Sequence, residues 1–486
     1  MHKSILVIAA LAWLSGCAVG PDYQPVEPDA PARFHAATQQ QADPAPLGVD
    51  EQRFWRGFQD PMLAGLIRQT LDANRELQGA LARYQRAEAL VRGSRAEQRP
   101  SIGASASAAE QHLANVERTP PGGGEDRVEL YQAGVDLSWE LDLFGRLRRA
   151  SEAQRAELGA AGADLAALQV ALVGQLATSY FELRGLQQQL IVARRNVDNQ
   201  RQSLEIVRSR LDAGRGTVFD QVRAVAQLER TRAAVPDLQA AVGARMYRIA
   251  VLTGQAPAAL VDQLAPPAPL PESLPVIPAD SPGDVLRRRP DIRAAERRLA
   301  AATARIGVAT ADLFPSFSLD ALIGSVATDS GDLFSAGAES RRVALGVDWT
   351  FLDFGRVRSR IDAADADARA AVAQYQQTVL LALQETETQL MRYARGRDRT
   401  ERLSAATEAA QQAADLARTR YRQGFIGFFE VLAAEQELIG TRDALIESRT
   451  AETLAMVNIY RALAGAPGGA GPIASADAND SPKTTR

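Results

Sequence analysis

Very few side chains in this 486-residue chain are equipped to make or break bonds. Nucleophilic, metal and acid-base chemistry call on cysteine and histidine, and the sequence holds one cysteine and three histidines. His2, His35 and His112 lie in three separate N-terminal contexts. Neither a zinc ligand set nor a Ser-His-Asp or Cys-His pair is therefore supplied at workable spacing. A single cysteine excludes an internal disulfide. No Gly-x-x-x-x-Gly-Lys-Ser/Thr phosphate loop occurs, so nothing here is built to spend a nucleoside triphosphate. Charged residues make up 23% of the chain and balance to a net −4, which leaves no basic field for nucleic acid. The expectation is a protein that is not an enzyme and has no metal or dissociable cofactor.

The one cysteine has a different use. His2 and Lys3 precede an apolar run from Ile5 to Leu14, too short to cross a bilayer comfortably but suited to the core of a secretory leader. The run ends in Leu14-Ser15-Gly16-Cys17, which resembles the bacterial lipoprotein box. In that motif, cleavage before the cysteine is coupled to thioether attachment of a diacylglyceryl group. Covalent lipid on Cys17 is expected, and several acyl chains at about 0.8 kcal/mol per CH2 anchor stably. Ala18 stands where an aspartate would resemble an inner-membrane retention signal, so the outer membrane of a Gram-negative cell is implied. Pro21, Pro25, Pro28 and Pro31 then keep the chain extended, as a tether.

The elements that carry the remaining polar residues come in duplicate. Ser138-Trp139-Glu140-Leu141-Asp142-Leu143-Phe144-Gly145-Arg146 is echoed 210 residues later by Asp348-Trp349-Thr350-Phe351-Leu352-Asp353-Phe354-Gly355-Arg356. At the same offset Arg208, Arg210, Gly214, Leu228 and Arg232 meet Arg418, Arg420, Gly424, Leu438 and Arg442. Upstream the offset becomes 215, because Pro100-Ser101 answers Pro315-Ser316. A five-residue length difference thus lies between each Pro-Ser and its tryptophan. The chain divides into a signal peptide over 1–16, a lipid-anchored extended segment over 17–60, repeat one over 61–265, a proline-rich linker over 266–282, repeat two over 283–465 and a tail over 466–486.

Each repeat reads as helix, strand, loop, strand, very long helix, break, helix. Val135, Leu137, Trp139, Leu141 and Leu143 alternate with Asp136, Ser138, Glu140 and Asp142, the period-two pattern of a strand with unlike faces. Val343 to Phe351 and Phe317 to Ile323 repeat it, and Ile102 to Ala108 does so more weakly. Hairpins are expected at about 100–144 and 315–353, with loop compositions at Pro120-Pro121-Gly122-Gly123-Gly124 and Asp329-Ser330-Gly331 between their strands. Between Gly145 and Ala213 there is no proline, and an alanine-rich stripe of Leu165, Leu168, Leu172, Leu176, Ser179 and Leu183 suits close coiled-coil packing. Such a helix would run about 100 Å at 1.5 Å per residue.

Four strands cannot close a membrane barrel, whose smallest form has about eight, and an open edge in lipid leaves backbone groups unsatisfied. The barrel must be shared: two copies supply eight strands and three supply twelve, and the arithmetic alone does not choose. The fold class expected is mainly α with a shared transmembrane β-barrel.

In combination, several stretches resemble the TolC-like outer-membrane factors of the NodT-type efflux lipoprotein family. They are Cys17 to Tyr23, Trp55 to Asp60, Ser138 to Arg146, Arg288-Arg289-Pro290-Asp291-Ile292 with Ala295-Glu296, Phe314-Pro315-Ser316, and Tyr421-Arg422-Gln423-Gly424. The resemblance implies a homotrimer with a twelve-stranded barrel in the outer membrane, continued by a tunnel of long helices through the periplasm. It also implies a periplasmic adaptor and an inner-membrane pump as partners. The function implied is a passive efflux conduit for small compounds. Two alternatives remain open: the duct of an ATP-driven protein secretion system, and a coiled-coil envelope lipoprotein that transports nothing.

Two places are candidates for function. On the strands, the face carrying Trp139 and Trp349 is expected to meet lipid, which leaves Asp136, Glu140, Asp320 and Asp348 to line the lumen and favour cations. At the helical breaks, Gly214-Arg215-Gly216-Thr217 and Gly424-Phe425-Ile426-Gly427 form hairpin turns that glycine eases. By resemblance these turns are the periplasmic tips, where Asp220 and Tyr421 match gate positions. Ile426 and Ala433 stand where the family has an arginine and an aspartate, so a simple Tyr-Asp-Arg latch is not available. Phe425, Phe428 and Phe429 offer an apolar constriction or docking surface instead. The basic run Arg287 to Arg289 lacks interleaved aromatics and is followed at once by Pro290 and Asp291, which fits a helix start better than a nucleic-acid site. The linker from Pro266 to Pro282, with the tail after Gly465, is expected to form a belt around the helices.

Overall fold

The computed structural model describes residues 18–26, 30–35, 51–117, 126–275 and 281–463. Cys17, the leader, the apex of the first hairpin loop and the tail lie outside them. Two compact units are built from interleaved stretches of chain: Met1–Val26, Arg83–Ala161 and Ala294–Tyr375 form the first, and Glu27–Ala82, Gly162–Arg293 and Gln376–Arg486 the second.

The first unit holds one antiparallel sheet of four strands in sequential order: β1 (Ser101–His112), β2 (Arg127–Leu141), β3 (Ser316–Ala327) and β4 (Glu339–Asp348). The middle pairing, β2 with β3, joins the two repeats, with Trp139 opposite Leu319 and Leu141 opposite Phe317. Directly opposed residues share a face. One face therefore carries Ala104, Val135, Leu137, Trp139, Leu319, Ile323, Leu345 and Val347, and the other Ser101, Ser105, Asp136, Ser138, Glu140, Ser318, Asp320 and Asp348.

Strand β2 starts at Arg127, well before the alternation is clear, and stops at Leu141, two residues short of the expected end. The cause is Asp142, whose carboxylate accepts the amides of Leu147 (3.1 Å) and Arg148 (2.9 Å) and so opens the helix α4 (Arg146–Asp212). In the second repeat the acid has moved one place: Asp353 accepts from Gly355 (2.9 Å) and Val357 (2.6 Å) at the start of α9 (Arg356–Gln423). Strand β4 accordingly ends at Asp348, leaving Trp349 and Phe351 beyond it. Both tryptophans clamp the feet of their hairpins in the same way. The Trp139 indole donates to Gln98 O and that of Trp349 to Leu313 O, each at 3.1 Å.

The described start of the N-terminal segment, residues 18–26, is bound to this unit and not loose as a tether would be. Val19 N donates to Phe144 O at 3.1 Å, the buried Arg149 donates to Val19 O and to Asp22 Oδ1 (3.2 and 2.6 Å), and Tyr23 OH donates to Glu296 Oε1 at 2.6 Å. Ahead of the strands run α2 (Pro61–Ala73) and α3 (Arg75–Ala96) in repeat one, and α7 (Pro282–Arg288) and α8 (Pro290–Ala311) in repeat two. The short α1 (Glu51–Arg56) falls inside the segment expected to be extended.

The second unit is helical. In it α4 packs on α5 (Val218–Leu252) through Leu204, Val207, Ala224 and Leu228, and α9 on α10 (Phe428–Leu463) through Ala410, Ala414 and Leu438; α6 (Val261–Leu264) leads into the linker. Of the anticipated α4 stripe, Leu165, Leu172, Leu176, Ser179 and Leu183 are buried and Leu168 is half-buried. An aromatic cluster of Phe54, Trp55, Phe58, Phe181 and Tyr460 packs with ring centroids 4.7 to 5.7 Å apart, and Tyr180 OH donates to Asp60 Oδ2 at 2.6 Å. The linker lies along α4, held by Arg184 to Pro266 O (2.9 Å) and Gln188 to Ala268 O (3.2 Å).

Arg289, in the basic run, is 8% exposed and serves the fold. Its guanidinium donates to both oxygens of Asp291 (3.1 and 2.7 Å), to Glu385 Oε2 (2.8 Å) and to the carbonyl of Ala462 in the last turn of α10 (3.0 Å). Burial works against its charge, yet the hydrogen bonds and charges of Asp291 and Glu385 prevail and hold its pKa above the ordinary arginine value.

Candidate functional site

All four anticipated strand acids fall on one face of the sheet, but they are not equivalent there. Glu140 is paired end-on with Arg146, Nε to Oε1 at 3.0 Å and Nη2 to Oε2 at 2.5 Å, so it adds little net charge. Asp320 accepts the hydroxyls of Ser138 (2.9 Å) and Ser318 (2.8 Å), and Asp136 lies over Gly103, directly across the β1–β2 ladder. Asp348 closes the row at the end of β4. The opposite face is mainly apolar and largely exposed, with Ile102, Val135, Ile323, Val343, Leu345 and Val347 all uncovered, and it turns charged at Arg341 and its partner Glu339 toward the start of β4.

The helical turns are built alike in both repeats. Gly214 (φ 70°) and Gly424 (φ 86°) take the left-handed conformation that glycine adopts without strain. Around each, a pair of reversed bonds closes the helix: Gly214 N to Leu211 O and Arg215 N to Arg210 O, then Gly424 N to Tyr421 O and Phe425 N to Arg420 O, all between 2.8 and 3.0 Å. This is the Schellman arrangement. Thr217 caps α5 and makes a closed box with Asp220, whose amide donates to Thr217 Oγ1 (3.1 Å) and whose carboxylate accepts from it (2.7 Å).

Between the turns lies a shared core of Leu204, Val207, Ala224, Leu228, Tyr421, Phe428, Val431 and Leu432, with Ile426 packed against it. Phe428 belongs to that core at 3% exposure and so offers no surface. Tyr421 is buried too, its ring under the Arg210 guanidinium at 4.4 Å, and its backbone carbonyl accepts from Arg210 Nη1. Burial pushes the Tyr421 phenol above its usual range, with Arg210 opposing. What the tip presents outward is Phe425 (77% exposed) and Phe429, joined by Val218, Phe219 and Val222.

Three features went unread in the sequence. Phe219 is the repeat mate of Phe429 at the 210-residue offset, and Arg223 sits over both rings, 5.4 and 5.0 Å from their centroids. Arg223 itself has Ala433 as its mate, so one cation serves two hairpins. Arg210, noted only as part of the repeat, also joins the two hairpins through Tyr421. Deeper in, Glu435 is 2% exposed, and its carboxylate receives Gln200 (2.8 Å), Ser203 (3.1 Å) and Arg418 (2.9 Å), from α4 and α9. The offset could have revealed the first feature; nothing in the sequence marks Glu435 as buried.

One unit holds a sheet with a polar face and open edges, the other holds paired helical hairpins, and comparison with known proteins decides what they belong to. The sequence profile of the outer membrane efflux protein family matches residues 66–255 and 282–465. The chain belongs to that family. This outer membrane efflux protein is 30% identical to Nodulation protein T of Rhizobium leguminosarum bv. trifolii over 464 residues, covering 92% of this chain and 94% of the relative. It is 31% identical to the solvent efflux pump outer membrane protein SrpC of Pseudomonas putida over 480 residues, covering 96% and 98%. Among solved structures it superposes on the outer-membrane channel OprN with a TM-score of 0.86 and 40% identity, over 92% of this chain and 99% of that one. The fold is thus TolC-like, the protein is an outer-membrane efflux channel component, and its place is the outer membrane of a Gram-negative cell. The family is one of passive channels, not enzymes.

Proposed function

We propose that three copies of the chain close a twelve-stranded barrel and form the outer-membrane duct of a tripartite pump, a passive conduit for small hydrophobic or amphipathic compounds. The observation that carries this reading is the sheet: one apolar face, one polar face and an unpaired strand at each edge, with too few strands among the described residues to close alone. The apolar face meets lipid, with Trp139 and Trp349 at the interfacial belt. The polar face lines the lumen, where Asp136, Asp320 and Asp348 from each copy favour cations within a Debye length of about 8 to 10 Å. Relatives named for solvent and toluene efflux support the cargo class.

The tips receive a periplasmic adaptor that couples the duct to an inner-membrane pump. Phe219, Phe425 and Phe429 supply an exposed apolar patch of the kind that a partner covers. Cys17 carries the lipid anchor. Purified protein in planar bilayers should give stepwise ohmic currents with a cation-biased reversal potential, and native mass measurement in detergent should give three copies. A non-conducting particle would overturn the duct; a dimer would overturn the barrel size. Cys17→Ser is expected to remove bound acyl mass and to lower the membrane-associated yield severalfold while leaving single-channel conductance unchanged. Unchanged acyl mass would show that the anchor is elsewhere.

A further inference from the structure

The internal repeat says how the two open edges meet. Residues on β1 map onto repeat two by adding 215, and residues on β2 by adding 210. Applied to the first hairpin, where Ser101 faces Ser138, the mapping gives Ser316 facing Asp348. That is the pairing observed in the second hairpin. The two hairpins therefore share one register despite their different loop lengths, and the sheet is a repeating object.

The remaining unique pairing is β2 with β3, where Trp139 faces Leu319. Carried forward by 210 on one side and back by 215 on the other, it gives a pairing that no single copy can make. We infer that β4 of one copy pairs antiparallel with β1 of the next, with Leu345 opposite Ala108, Val347 opposite Ala106 and Asp348 opposite Ser105, which sets Trp349, just past β4, beside Ala104. This rests on the shared-barrel reading and adds its seam.

Two independent features agree. In this register large exposed residues on the apolar face of β4 meet a row of alanines on β1, while Asp348 meets a serine on the polar face; a slip of one residue would turn Asp348 toward lipid. The second feature lies at the strand feet. Phe144, just past β2, stacks on Phe314, just before β3, with centroids 4.6 Å apart and planes within 18°. The same mapping sets Phe354 of one copy against Arg99 of the next. Phe354 is 91% exposed and held at φ 54°, a costly pose for a bulky residue, and Arg99 is exposed. A guanidinium stacks on a phenyl ring as readily as a second ring does.

Cysteine pairs in the full-length membrane protein test the seam. Directly opposed Cβ atoms lie about 4.5–5.5 Å apart and diagonal ones about 7–8 Å, against the 3.5–4.5 Å a disulfide needs. With copper-phenanthroline as oxidant, Leu345→Cys with Ala108→Cys should form inter-subunit disulfides at least about fivefold faster than Leu345→Cys with Ala106→Cys or with Glu110→Cys. Faster cross-linking of a slipped pair overturns the register and leaves the barrel standing. Absence of every cross-link in a protein that native mass shows to be oligomeric overturns the seam. A monomer by native mass overturns the shared-barrel reading itself. Should the cysteines block assembly, thermal dissociation of Phe354→Ala, Arg99→Ala and the double variant decides: the double should lose no more than the worse single, and additive losses overturn the contact.

Discussion

Arg289→Ala is expected to lower the unfolding free energy of the second unit by about 3–5 kcal/mol, the penalty for breaking a buried charge network from one side. The substitution would leave two carboxylates, Asp291 and Glu385, facing each other without their shared cation, and the Ala462 carbonyl without its donor. Arg289→Lys keeps a charge but loses the planar fork that reaches both Asp291 oxygens and Ala462 together, so it should recover only part of the loss. Urea unfolding of the detergent-solubilised protein, followed by circular dichroism, measures this. An unfolding free energy within about 0.5 kcal/mol of the parent, the order of a surface substitution, would show that the network is ornamental.

The second large effect is on conduction. Arg210 joins the two hairpins by a charged hydrogen bond to the Tyr421 carbonyl and by its stack on the Tyr421 ring. The first is worth about 1.5–3 kcal/mol and the second about 0.5–1. Arg210→Ala should therefore shift the balance from joined to parted hairpins by about 30- to 700-fold for about 2–4 kcal/mol. In planar bilayers this would appear as larger and longer-lived conductance steps, and in cells as greater sensitivity to large antibiotics that the parent excludes. Asp220→Ala should do much less, since Asp220 spends its hydrogen bonds on its own helix cap at Thr217. Equal effects from the two substitutions would count against Arg210 as a link between the hairpins.

Most of the architecture was legible because it depends on periodicity and on a repeat that the chain states twice. Two-residue alternation located the strands, and their faces followed from register alone. Strand ends were misjudged where an acid changed employment: Asp142 continues the alternation in sequence, yet its carboxylate turns to the amides of α4. The tip was half-legible. Glycines and phenylalanines identified the turns, but the distinction between buried Phe428 and exposed Phe429 depends on which side of α10 meets α4 and α9, and adjacent letters do not carry that. Glu435 was invisible for a related reason, since a lone glutamate in a helix reads as solvated until three donors from other helices surround it.

The matched tryptophan clamps have a consequence for how the protein can change over generations. With both hairpins fastened at their feet and locked to one ladder, the five missing residues of repeat two were absorbed entirely at the far ends. Length is therefore a free variable at the far ends of the hairpins. Insertion or deletion there can be tolerated over generations while every rung of the ladder beneath keeps its partner.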